Sequence, residues 1–137
     1  MSTEPMQTMY PFAEVFEVDT NGTTAVDVWD IPAGTIIAMV LAEIQVSSTG
    51  TGANIIVGDD DDDDGFILAA SCCTTAGTIY GDAPEERGAY LYTGVSYHSG
   101  KWKYYDAAGK ELKIDSSAAN TTEATLRIYV FGYRYTV

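Results

Sequence analysis

Between residues 122 and 137 the side chains alternate in a strict period of two: Leu126, Ile128 and Val130 fall on one side, Tyr129, Phe131, Tyr133 and Tyr135 on the other. Only an extended strand turns alternate residues to opposite faces, so the aliphatic side belongs against a core and the aromatic side against something else. The same period recurs in shorter runs. Residues 12–18 place Phe12, Phe16 and Val18 together, and residues 25–31 form the next run. Another long strand spans residues 35–46, with apolar residues at every even position from Ile36 to Val46; its odd positions start apolar (Ile37, Met39, Leu41) and end polar (Glu43, Gln45). That pattern predicts cover on both faces early and on one face late. Residues 55–57, 66–73 and 90–97 read as further strands. Residues 102–106 and 111–115 read as a hairpin about Gly109, with Trp102 and Tyr104 on one face and Leu112 and Ile114 on one face of the partner.

Turn chemistry separates these runs: Asn21 and Gly22, the IPAGT stretch at residues 31–35 with Pro32 and Gly34, and the SSTGTG stretch at residues 47–52. Residues 74–88 form an irregular connection containing Pro84. No 3.6-residue period is present, so helix is confined to a turn near residues 84–87 or 116–120. Eight or so short strands in 137 residues predict an all-β fold, a single β-sandwich or jelly-roll-like domain over residues 12–137. Residues 1–11 hold Pro5, Pro11, Met1, Met6 and Met9 without periodicity and read as an extended N-terminal arm.

Six consecutive aspartates, residues 59–64, stand between Gly58 and Gly65 and join two strands, which places them on a solvated loop. The register of Asp60, Asp62, Asp64 and Gly65 matches the start of a calcium-binding loop, yet the twelfth position is Ser71 and not a bidentate Glu. Crowded carboxylates repel one another and welcome a divalent ion, so Ca2+ at Asp60, Asp62 and Asp64 stands beside the simpler reading of a solubilising loop. The net charge of −13 is uneven. Residues 1–86 hold 16 of the 20 acids and none of the seven bases, and so carry −16; the remainder carries +3. Such a chain repels phosphate backbones and excludes a nucleic-acid partner, while the basic remainder suits an acidic neighbour in the same chain or in another copy.

No eighteen-residue apolar run and no basic, hydrophobic leader is present, so neither a membrane span nor a signal peptide is expected. Adjacent Cys72 and Cys73 point to opposite sides of a strand and read as reduced packing residues of a protein assembled in a cytoplasm. His98 is the only histidine, and with no second histidine or nucleophile elbow beside it a surface turn residue is the expectation. The TGTG of residues 49–52 lacks the lysine and helix of a phosphate cradle. An enzyme is therefore not expected, nor a cofactor apart from the calcium reading. The aromatic face of Tyr129, Phe131, Tyr133 and Tyr135, together with Met6, Met9, Tyr10 and Phe12 of the arm and first strand, forms the candidate interface, since tyrosine offers rigid area with a polar tip. A sugar-stacking site has Trp102 and Asp106 as its only candidates.

The DIPAGT of residues 30–35, the long apolar strand after it, and the IIVGD to DGF passage around the acidic loop resemble small β-sandwich structural proteins of tailed bacteriophages, notably head decoration (cement) proteins. The resemblance covers residues 26–68. It implies a virion component on the outer capsid surface, bound to the major capsid protein, commonly a homotrimer with a terminal arm reaching neighbouring subunits. The alternative is a receptor- or carbohydrate-binding module of a phage fibre or tail.

Overall fold

A computed structural model of the chain describes residues 8–20, 25–48, 54–71, 74–92, 101–116 and 124–135. Met6, Cys72, Cys73, His98, the turn at Asn21 and Gly22, residues 49–52, residues 93–97 and the helix expectation at residues 117–120 lie outside them.

Among the described residues nine strands form two antiparallel sheets: β1 (Met9–Asp19), β2 (Val26–Ile31), β3 (Thr35–Val46), β4 (Asn54–Gly58), β5 (Ile67–Ser71), β6 (Ile79–Tyr80), β7 (Lys103–Tyr105), β8 (Lys110–Ser116) and β9 (Thr125–Tyr135). The first sheet runs β1-β9-β3, with β6 and β7 both paired to β3; the second runs β2-β8-β4-β5. The all-β sandwich expected from the alternation is the observed fold. A 3-10 turn at Pro84–Glu86 falls where a turn of helix was expected. Among the described residues no helix is long and apolar enough to cross a membrane.

The core follows the sequence period. Leu126, Ile128 and Val130 of β9 are fully buried and meet Leu112 and Ile114 of β8 and Ile55 and Val57 of β4 in one cluster. Burying each such side chain contributes about 1.5–3 kcal/mol. β1 pairs with β9 along its whole length, from Met9 opposite Tyr135 to Asp19 opposite Thr125, so the extended arm is continuous with the sheet from Met9 onward. The IPAGT turn forms as expected. Gly34 takes φ 80°, and its amide donates to the Tyr105 carbonyl at 2.8 Å.

Three expectations are corrected. The even face of β3 is not continuous: pairing with β9 shifts between Ile37 and Met39, and again between Ile44 and Val46, so Ile37 is buried while Val46 is 57 % exposed. Each extra residue turns the strand over, which period-two counting does not detect. The hairpin over residues 102–115 does not form. β7 pairs with β3 and β8 with β2 and β4, so residues 106–109 carry the chain from one sheet to the other. A short loop with a glycine serves a sheet-to-sheet crossing as well as a hairpin, and the choice was made by partners distant in sequence. Trp102 and Tyr104 do share an exposed face, and Leu112 and Ile114 a buried one. Finally, residues 90–92 are not strand: the Leu91 and Tyr92 amides both donate to the Gly88 carbonyl at 3.0 Å in a turn.

Candidate interaction surfaces

The acidic loop divides into an anchored half and a free half. Asp59 leaves the end of β4 and is buried, which corrects the expectation of six solvated carboxylates. Its carboxylate accepts four hydrogen bonds: from the Tyr105 hydroxyl at 2.6 Å, the Tyr90 hydroxyl at 2.9 Å, and the amides of Asp61 and Asp62 at 2.9 and 3.0 Å. Burial alone would raise its pKa; these four donors outweigh burial and hold the carboxyl below the usual range. Burial and the bond to Asp59 in turn push both phenols up. The Lys103 ammonium lies 4.2 Å from the Tyr90 ring centroid and 5.4 Å from that of Tyr105, placing a cation over both rings. Nothing local in the sequence marks which of six identical residues turns inward, because Tyr90 and Tyr105 reach Asp59 from 31 and 46 positions away.

Asp60 and Asp61 are drawn to β8. Asp60 meets Lys113 at 2.6 Å and accepts the Glu111 amide at 3.2 Å, while Asp61 meets Lys110 at 3.0 Å. Lys113 also approaches Asp27 at 3.6 Å, and Arg127 approaches Glu17 at 3.9 Å. Each of these four ion pairs joins a base of residues 87–137 to an acid of residues 1–86, the intramolecular form of the charge complementarity read in the sequence.

The free half holds Asp62, Asp63 and Asp64, whose carboxylates lie within 4.8 Å of one another. A hydrogen bond shared with Asp62, followed by burial and the charges of Asp62 and Asp63, raises the Asp64 pKa. Of the expected calcium ligands, the fold therefore brings Asp62 and Asp64 together with Asp63, and ties Asp60 to Lys113.

The outer face of the first sheet is aromatic. Tyr129 and Phe131 stack with centroids 6.5 Å apart, Trp102 lies 5.3 Å from Tyr133, and Tyr104 lies 6.1 Å from Tyr135 with the two hydroxyls in contact. Tyr129 is oriented by donating to Glu43 at 2.8 Å. Trp102 and Tyr104, not part of the expected interface, enlarge this face and are 58 % and 47 % exposed. Met9, opposite Tyr135, is exposed at its edge, whereas Tyr10, opposite Arg134, is exposed on the other side of the strand. Phe12 points the other way: it packs against the core, 5.9 Å from Trp29, beneath the Arg134 guanidinium.

No protein-family model and no curated protein matches this sequence. Among solved structures, the chain is similar to one in the cyanophage Pam1 capsid asymmetric unit, with a TM-score of 0.63 over 98 % of this chain and 91 % of that one, at 16 % identity. The fold is one found in a phage capsid. A second similarity, at a TM-score of 0.48 and 13 % identity, is to the capsid of Helicobacter pylori bacteriophage KHP30, covering 96 % of this chain and 99 % of that one. The likeness to the cyanophage chain is one of fold and covers both sheets.

Proposed function

We propose that this chain is a structural virion protein, a decoration or cement protein that binds the outer surface of a phage capsid and stabilises the shell. The supporting observation is the likeness of nearly the whole chain to part of a phage capsid, in a molecule whose aromatic side chains are displayed across a rigid five-stranded sheet. Exposed tyrosine and tryptophan on a fixed backbone suit protein contact, because rigid rings lose little conformational freedom when covered. In this reading the major capsid protein and further copies of the chain are the partners, as a homotrimer, and no catalysis is involved.

Co-sedimentation of the purified protein with empty shells of its parent virus tests this, with light scattering reporting the copy number. Saturable binding to the shell is the expected result. A protein that stays in the supernatant and instead selects glycans on an array would replace this reading with receptor or carbohydrate binding.

A further inference from the structure

Most of the chain's cations are already committed. Lys110, Lys113 and Arg127 pair with carboxylates, and Lys103 and Arg134 lie over aromatic rings. The two that remain, Arg87 and Lys101, border the same groove of about 700 Å3 on the outer face of the first sheet. The Arg87 guanidinium is fixed by donating to the carbonyls of Gly81 and Asp82, both at 3.0 Å, so it is held in place without meeting a carboxylate among the described residues. Lys101 is exposed and has no ion pair among those residues. In a molecule of net charge −13, two uncompensated cations converging on one groove make it an anion-seeking spot on a surface that otherwise repels anions.

The rest of the lining is apolar: Met39 and Leu41 of β3 and Phe131 of β9, with Trp102 beside Lys101. The groove also coincides with a gap in the sheet edge. β6 pairs with Ala42 and Glu43 and runs on into Gly81, which lies against the Val40 carbonyl, and β7 pairs with residues 35–37, while among the described residues no strand pairs with Ala38 and Met39 on that side. An edge interval between two short strands, floored by apolar side chains and rimmed by cations, suits an extended backbone. A polyanion fits poorly, since its further charges would meet the acidic remainder of the surface.

We propose that this groove docks an extended protein segment in which a carboxylate side chain adjoins a large apolar one, the carboxylate held between Arg87 and Lys101 and the apolar group against Met39, Phe131 and Trp102. The proposal rests on the virion reading only for the source of the segment, the capsid shell.

An array of random capped pentapeptides, probed with the full chain, tests the chemistry. Bound peptides should be enriched in Asp or Glu next to Leu, Ile or Phe. For the best of them, replacing the acid by its amide should weaken binding at least about tenfold, or about 1.4 kcal/mol. Lys101→Glu should abolish binding while leaving the melting temperature unchanged, and Trp102→Ala should weaken it. Enrichment of neutral or basic peptides, no saturation below about 1 mM, or binding that survives Lys101→Glu would overturn the proposal. So would concentration-dependent self-association that is lost in Lys101→Glu and restored by mixing that variant with Asp63→Lys, which would make a second copy's acidic loop the occupant. Peptide binding without shell co-sedimentation would remove the virion reading alone; shell binding without peptide selection would remove the groove alone.

Discussion

The Tyr105 hydroxyl donates to Asp59 across 46 positions of sequence at 2.6 Å, joining β7 of the first sheet to the loop that leaves β4 of the second. A buried carboxylate is tolerated only when its lone pairs are met, and here four donors meet them. The acidic run thus serves the fold through its first member and solvation through its last three.

Removing one donor should cost more than an ordinary hydrogen bond because the acceptor is charged and cannot turn to water. Tyr105→Phe is expected to lose about 1.5–3 kcal/mol in urea denaturation, and Tyr90→Phe less, since Tyr90 is the more exposed of the two. Asp59→Asn, which sets an amide against four donors, should cost at least as much as Tyr105→Phe. If Tyr105→Phe unfolds at the wild-type urea concentration, the bond has no structural role.

Acid should act on this protein in two opposed steps. Asp59 has a folded pKa below its unfolded value of about 3.9, so its contribution is complete above that pH and is lost as pH falls through the lower folded value. Asp64 is shifted the other way: its crowding destabilises the fold at neutral pH, and protonation relieves this as pH falls through its raised pKa. Stability should therefore rise slightly on acidification from neutrality and fall steeply below about pH 4. Urea midpoints measured across this range check both limbs. Asp59→Asn should flatten the steep one and Asp64→Asn the shallow one.

The three crowded carboxylates should behave differently from their neighbours in the same run. Asp63→Asn is expected to raise the melting temperature by removing repulsion, and Asp60→Asn to lower it by freeing Lys113. A chelator should leave the wild-type melt unchanged, because the loop closes through its own hydrogen bonds: the Asp59 amide to the Asp62 carbonyl at 2.9 Å and the Phe66 amide to the Val57 carbonyl, also at 2.9 Å. A lower melting temperature in EDTA would instead establish a structural ion.

Gly132 lies opposite Phe12 on one side and Ile37 on the other, beside the β3 bulge. A Cβ there would sit 1.8 Å from the Ile36 carbonyl oxygen, a clash with backbone that has no rotamer to escape by. Gly132→Ala should cost more than about 3 kcal/mol or abolish folding. A loss within about 1 kcal/mol would mean that the bulge is adaptable.

What the sequence disclosed and withheld divides along physical lines. Alternation in β9 and β1 located strands, faces and most of the core, since solvent acts on every second residue wherever one face is buried. The partners of β7 and β8 were hidden because Trp102 and Leu112 alternate identically in a hairpin and in two separate sheets. The β3 bulge was hidden because Ile36, Ile37, Ala38 and Met39 are all apolar and give no phase. Asp59 was hidden among five copies of itself; its distinction comes from Tyr90 and Tyr105, which reach it only after folding. Tyr129, Phe131, Tyr133 and Tyr135 were legible as a face, whereas the joining of Trp102 and Tyr104 to it required the pairing of β7 with β3.

Thermal opening of the parent capsid, followed by genome release with and without saturating protein, measures the proposed role most directly. Wild-type protein should raise the opening temperature, and the Tyr133→Ala, Tyr135→Ala double variant should lose that effect while retaining most of its own folding stability. An opening temperature unmoved by the wild-type protein, or a double variant that loses folding and shell protection in equal measure, would contradict the account.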